Sequence, residues 1–453
     1  MKNPDRHPQR TDVPRCDRRQ VLRALGLCGA GPLLAWPAGA EPATTDTRPP
    51  AGRSGEVEQG RPGTPGIYQR LPGVRPLINA AGPVTALGGT VLTQEVTAAM
   101  AEAALSYVDL DELYTAAGAR LAEITKAEAA MVTSGAFAAM TLGAAACLAG
   151  EDEEKMAALP HPTWPRRETV IQRAHSTPYD RAYRNAGMSI VYVDTEDEML
   201  AAIGERTAMI AGLTNVEQLD RPGIVSPERL VSIGRRTGVP VYLDASFCLN
   251  RIPNVPGLWR YTEMGADLVG ISGGKGLHGP QSTGILAGRA DLVAAARKQA
   301  SPNPAGLGRG MKVDKEEVIG LLVALEQFLA RDHEALYRRD RERVETMRKR
   351  LLDVPGLELR YEEAFFGPGL VLMWDGAEIP LTHDEFVQRM RAGERPIAVI
   401  VADGPGPYFV ADVKGPALFA NALNDGEEVV VAERARDVLL SALRAGAGRR
   451  RAG

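Results

Sequence analysis

Apolar positions in this chain follow two rhythms from about Leu77 onward. Some stretches are unbroken apolar runs of four to seven residues, and others repeat their apolar residues every three or four positions. "LTQEVTAAMAEAALSYV" and "ELYTAAGARLAEIT" have the helical spacing, and Thr93 is placed to cap the first. "AAMVTSGAFAAMTLGAAACLAG" is a short apolar run that turns into a small-residue helix near Ser134. "ETVIQRA", "SIVYVD", "TAMIAGLT", "VPVYLDAS", "GADLVGISGG" and "STGILAGR" are predicted strands, with "DRAYRNAG", "DEMLAAIG" and "PERLVSIGRRTG" as helices between them. Alternating helices and continuously apolar strands predict an α/β domain with a mostly parallel sheet, spanning residues 69–330. A long helical stretch from about Lys315 to Leu352 starts apolar and becomes densely charged. Its second half is expected to leave the core as an exposed connector into a smaller C-terminal α+β domain (residues 331–453), ending in a frayed "GAGRRRAG".

The first residues read differently. "CDRRQVLRALGLCGAGPLLAWPAGA" places Arg18-Arg19 before a weakly apolar run that ends at Ala38-Gly39-Ala40. That is the layout of a twin-arginine export signal over residues 1–40, and the apolar run falls short of the ~20 residues a spanning helix needs. The alternative is a basic tail on a cytoplasmic protein. Residues 41–68, rich in Pro, Gly and Thr, read as a linker. A net charge of -4 leaves no basic excess to suggest nucleic acid as a partner. The four cysteines form no CxxC pair or zinc-type cluster, and Cys147 and Cys248 sit among apolar neighbours as core residues.

Ligands of parallel α/β sheets lie beyond the carboxyl ends of the strands, so functional side chains are expected at the strand tips. "VTSGAF" puts Ser134, Gly135 and Ala136 at a helix N-terminus, where backbone N–H groups suit a phosphate. Asp244 is the single carboxylate at the tip of "VPVYLD". Lys275 follows a strand inside "SGGKGLHGPQSTG", as either an ordinary solvated lysine or one held at a cofactor. A P-loop is excluded, because Gly276 follows the lysine and Val269 occupies the first glycine position. Phosphate cradle, aspartate and lysine in that order suit pyridoxal 5'-phosphate. The lysine would form the Schiff base, and the aspartate would keep the ring nitrogen protonated so that the ring can accept electrons.

"SGGKGLHGPQSTG" resembles the Ser-x-x-Lys-x-x-Gly-Pro stretch of the class V aminotransferase and cysteine desulfurase group. It is more similar still to the selenocysteine synthase-like branch, which holds selenium transferases and glucosaminate-phosphate ammonia-lyase. "INAAGPVTALGG", "YVDLDELYTAAGARLAEITKAEAAMVTSGA" and "GRGMKVDKEEVIGLLVALE" extend the likeness over roughly Gly73 to Phe328. The resemblance implies a PLP-dependent transferase of fold type I, a homodimer or larger, with Lys275 as Schiff-base lysine and Asp244 on the ring nitrogen. It also implies that Ser134, Gly135, Ala136 and Ser272 hold the phosphate and that His175 stacks on the ring, its alternative being a plain core histidine. Arg309 and Lys312 would bind phosphate or a substrate carboxylate, or simply open a helix. Phe247 stands where desulfurases carry glutamine, which leaves Ser246 as a partner for the ring hydroxyl. His278 stands where the branch has arginine, and either moves protons or packs.

The expected reaction starts at the α-carbon of an amino acid or amino sugar acid, with the freed Lys275 as base. A lyase-type elimination is the first expectation. The alternatives are an oxygen-dependent monooxygenase-decarboxylase of the capuramycin-pathway type and a catalytically degenerate interaction protein. The expected partner is a small amino-acid-type molecule, without nucleic acid or stable membrane insertion.

Overall fold

The computed structural model describes residues 66–452 except 220, 251–254, 365–366 and 404–412. The export signal and most of the predicted linker lie outside the described residues. Residues 66–453 form one compact unit, whose strands fall into three sheets.

The strands are β1 (Ile78–Asn79), β2 (Ala129–Thr133), β3 (Glu168–Gln172), β4 (Ser189–Val193), β5 (Thr207–Leu213), β6 (Val241–Asp244), β7 (Leu268–Ser272), β8 (Gly284–Gly288), β9 (Leu357–Ala364), β10 (Gly367–Trp374), β11 (Ile397–Ala398), β12 (Ile400–Asp403) and β13 (Lys414–Phe419). The seven-stranded sheet has the order β2-β8-β7-β6-β5-β3-β4. Its strands are parallel except β8, which runs antiparallel to both neighbours. Burial on both faces explains the unbroken apolar strands: along β6, Val241 and Leu243 enter one core and Tyr242 the other. The predicted α/β class and parallel sheet are what the structure shows.

The helices named below are α1 (Gln94–Ala104), α2 (Leu110–Thr125), α3 (Gly135–Ala149), α4 (Pro227–Thr237), α5 (Lys315–Ala330), α6 (His333–Leu351) and α7 (Glu427–Ala452). Thr93 caps α1 as expected, accepting the Val96 N–H. Helix α3 is buried nearly all round, and its run of alanines lets it lie close between the sheet and the helix Ala290–Gln299.

The 315–352 stretch departs from expectation in two ways. It is two helices rather than one, because Asp332 caps a new helix after Ala330. The charged half is also no exposed connector. Val344, Met347 and Leu351 are buried with Leu370, Phe386, Val431 and Leu439 in the core over the four-stranded antiparallel sheet β12-β13-β10-β9. That face carries only three buried apolar residues among arginines and glutamates, and Asp340 and Arg343 are buried with them, so the composition hid it. Arg343 is 6% exposed within it, bonded to Asp425 and 3.5 Å from Asp340. The C-terminal helix α7 continues to Ala452 instead of ending near Ala445. Strand β1 pairs in parallel with β11, so Ile78 and Ala80 belong to this C-terminal core. Among the described residues, no helix is long and apolar enough to cross a membrane.

Candidate active site

A cavity of about 620 Å³ opens at the carboxyl ends of β5, β6 and β7 and the N-terminus of α3. Seven of the predicted site residues line it: Ser134, Gly135, Ala136, Asp244, Ser246, Ser272 and Lys275. They come from three strand ends, those of β2, β6 and β7, gathered because these strands run in the same direction and end at one edge of the sheet.

At one end of the cavity is the start of α3. The first N–H groups of a helix have no partner within it, and here Ser134 supplies no side-chain cap. Gly135 is left-handed (φ 78°), and the Thr133 hydroxyl donates to its carbonyl at 3.0 Å. Gly284 closes the floor: a β-carbon there would start 2.5 Å from the Gly135 carbonyl carbon. The free N–H groups and the positive end of the helix dipole therefore face the cavity, and the set fits a phosphate.

Asp244 ends β6 and is 6% exposed. The Thr214 hydroxyl donates to its carbonyl at 3.2 Å, and the Ala245 N–H bonds the Gly270 carbonyl at 2.8 Å. The carboxylate oxygen Oδ1 accepts the Ser246 N–H at 2.9 Å and also the Ser246 hydroxyl. The Ser246 hydroxyl therefore bonds Asp244, not the position expected for a ring hydroxyl.

Lys275 follows β7 in a loop that closes on itself through Gly279 N–H to Gly273 O and His278 N–H to Lys275 O, each 2.9 Å. Gly276 is needed because a β-carbon would lie 2.4 Å from the Leu249 carbonyl oxygen. The "INAAGPVTALGG" stretch itself packs over this loop, where Gln281 Nε2 donates to Thr85 O at 2.9 Å. The lysine Nζ rests 3.3 Å from the centre of the Phe247 ring. Burial pulls its ammonium down to about 8, against the opposing pull of Asp244. A neutral amine is thus available near neutral pH. Uncapped helix N-terminus, carboxylate and low-pKa lysine in one cavity fit the phosphate, ring nitrogen and aldehyde of pyridoxal phosphate.

Four predicted residues lie elsewhere. His175 is 3% exposed under the end of β5; its Nδ1 accepts the Leu213 N–H at 2.9 Å and its Nε2–H donates to Val225 O at 2.8 Å. Burial pushes it down to about 4, so it is neutral, and it does not line the cavity. It ties β5 to the segment before α4 and borders a small void beside Asp244 and Thr177, which also line the main cavity. His278 adopts a left-handed backbone (φ 59°) and is also outside the cavity lining. Burial, then Arg331, pushes it down to about 4, so it carries no proton to exchange near neutral pH. Arg309 and Lys312 are exposed and outside the lining.

Other lining residues were not predicted. Thr177, Tyr179, Asn215, Ser282 and Glu317 all face the cavity. Asn215 follows the tip of β5, and the strand-end rule that selected Asp244 would have found it. Glu317 lies on α5, far along the chain, and no local pattern marks it.

A family profile for L-seryl-tRNA selenium transferase matches residues 181–355. A Streptomyces 5'-C-glycyluridine monooxygenase-decarboxylase is 36% identical over 72% of this chain and 82% of its own length. The D-glucosaminate-6-phosphate ammonia lyase of Salmonella typhimurium is 31% identical over 58% of this chain and 70% of its own. A solved structure of D-glucosaminate-6-phosphate ammonia-lyase superposes with a TM-score of 0.68 at 26% identity, covering 84% of this chain and 99% of that one. The L-seryl-tRNA(Sec) selenium transferase of Moorella thermoacetica is 30% identical, and the match spans 56% of each chain. With that sequence kinship and this cavity, the chain belongs to the selenocysteine synthase-like family of fold-type I enzymes and uses pyridoxal 5'-phosphate.

Proposed function

We propose that this enzyme removes the α-proton of an amino acid or amino sugar acid through Lys275 and completes a lyase-type elimination. The observation that carries the reading is the Lys275 amine, lowered to about 8, in the same cavity as Asp244. Near that pH both protonation states are accessible, so one nitrogen serves as base and then as acid. When bound, pyridoxal phosphate supplies the electron sink that stabilises negative charge at the α-carbon. The C–H bond breaks with its proton going to Nζ. For a substrate with a β-hydroxyl, the Cβ–O bond then breaks, Nζ returns the proton so that water leaves, and hydrolysis of the released enamine gives a 2-oxo acid and ammonia. The N-terminus of α3 would hold the phosphate, and the carboxylate of Asp244 would pair with the ring nitrogen.

A second reading is oxidative decarboxylation with dioxygen. It is favoured by the 36% identity to the monooxygenase-decarboxylase, which spans more of both chains than the match to the ammonia lyase. A panel of amino acids and amino sugar acids, incubated with the holoenzyme under air and under nitrogen, separates the two. Ammonia release that persists under nitrogen supports the lyase. Substrate-dependent oxygen uptake with carbon dioxide release supports the oxidative reaction, and neither signal across the panel favours the degenerate interaction protein.

Two further parts of the proposal concern context. Export by the twin-arginine route rests on Arg18-Arg19 and the small-residue site after them. A reporter fused to residues 1–45 should lose export when both arginines become lysine. A homodimer or larger assembly is supported by the exposed apolar side chains Val91, Leu105 and Tyr107 beside the segment over the lysine loop. Light scattering of the purified protein tests it.

A further inference from the structure

We propose that Ser246 is a positioning residue for Asp244, clamping one carboxylate oxygen so that the other faces the cofactor's ring nitrogen. The inference rests on the pyridoxal phosphate assignment and gives Ser246 a role different from the ring-hydroxyl contact expected from sequence.

The backbone of Asp244 is fixed before its side chain is considered. Register with β5 and β7 holds the strand, and the Thr214 hydroxyl and the Ala245 N–H hold the exit from it. What remains free in such a residue is rotation of the carboxylate, a broad torsion with little intrinsic preference. Ser246 removes that freedom twice. Its N–H closes an Asx-turn on Oδ1 at 2.9 Å, a bond available to any residue here except proline. Its hydroxyl adds a second, charge-assisted bond to the same oxygen, which only serine or threonine supplies at this reach. Two donors on Oδ1 set the plane of the carboxylate and leave Oδ2 without a hydrogen bond among the described residues. Asp244 and Ser246 both line the cavity, so Oδ2 is the oxygen left for a ligand. A hydroxyl spent this way is not also a donor to the ring.

Because the turn and the clamp use different atoms of one residue, they can be separated. Ser246→Ala keeps the N–H and the turn but loses the hydroxyl, and Ser246→Thr restores it. The protein is resolved from its cofactor, titrated with pyridoxal phosphate by absorbance, and the pH midpoint of the bound cofactor's band is recorded. Thermal unfolding of the cofactor-free form is followed beside it. Ser246→Ala should weaken pyridoxal phosphate binding about 10-fold, the order expected for one charge-assisted hydrogen bond, and shift the band's midpoint. Its cofactor-free unfolding should stay near wild type, and Ser246→Thr should recover affinity and midpoint to within about twofold. Unchanged affinity and midpoint in Ser246→Ala would overturn the inference. So would a loss that follows a lowered melting temperature and is not rescued by threonine. If wild type itself forms no borohydride-reducible adduct, the cofactor assignment fails first.

Discussion

The turn after β6 and the loop after β7 are neighbours that treat their functional side chains in opposite ways. Both follow buried parallel strands and deliver one charged residue to the same cavity. Asp244 is short, and two bonds from Ser246 fix it. Lys275 is long and lies on the face of Phe247, while the loop spends its own hydrogen bonds on backbone groups. The chemistry explains the difference. A group that holds the ring nitrogen must keep one orientation, whereas a base that is first bonded to the cofactor and then freed must swing. Rigid backbone with a loose side chain gives the second, and rigid backbone with a clamped side chain gives the first.

The largest expected effect breaks the lysine half of that pair. Lys275→Ala should abolish the borohydride-fixed adduct and cut turnover by roughly 10³-fold or more, as expected when a nucleophile and acid–base group is lost. In wild type, capture of pyridoxal phosphate by the cofactor-free protein needs the neutral amine. Because burial lowers Lys275 to about 8, the capture rate should rise about tenfold per pH unit below that value and level off above it. A rate that keeps rising to pH 10 would show an ordinary solvated lysine. The linkage has the same sign: a depressed lysine means the unfolded chain binds the extra proton between 8 and 10.5, so this group's contribution to stability rises with pH there.

The two halves of the comparison were legible in sequence because each is a local event: an apolar strand, then one charged residue at its tip. The cradle at Ser134 was legible for the same reason. The histidines were not. "QRAHSTPYD" and "KGLHGP" place His175 and His278 beside site residues in the chain, but their rings turn to backbone partners on other elements, which no local pattern records. The charged helix α6 was misjudged because its apolar stripe becomes a core face only where β10 and α7 meet it. Fold class is written in periodicity, while the direction of a side chain depends on tertiary neighbours.

His175 sharpens the point with a smaller effect. His175→Ala leaves the Leu213 N–H and the Val225 carbonyl without partners in a buried place, and should cost about 2–4 kcal/mol of stability in urea unfolding. Pyridoxal phosphate affinity should change less than about threefold, since both ring nitrogens are spent on backbone groups of β5 and the segment before α4. Its folded value of about 4 lies below the usual 6.5, so unfolding takes up a proton between those values and wild-type stability falls as pH drops through that window. The variant should lose that part of the acid slope. A variant of unchanged stability but much weaker cofactor binding would return the ring to the cofactor.

The smallest effect concerns a wall that neither turn supplies. Glu317 enters the cavity from the first turn of α5, where Oε2 accepts the Asp314 N–H at 3.1 Å and Oε1 accepts the Ser282 hydroxyl. Each oxygen keeps a lone pair, and Lys275 is the one cation among the described lining residues. A substrate that extends away from the lysine therefore meets a carboxylate, which favours a hydroxyl or ammonium there. Glu317→Gln preserves an acceptor for the helix cap and removes only the charge. With the substrate identified by the panel, KM should rise about 5- to 10-fold, the difference between a charged and a neutral hydrogen bond, with kcat and the cofactor band nearly unchanged. A parallel fall in kcat would move Glu317 from substrate binding into proton transfer and end the picture of one mobile base facing one fixed carboxylate. An unchanged KM would leave Glu317 as a helix cap and put selection at Tyr179 and Asn215.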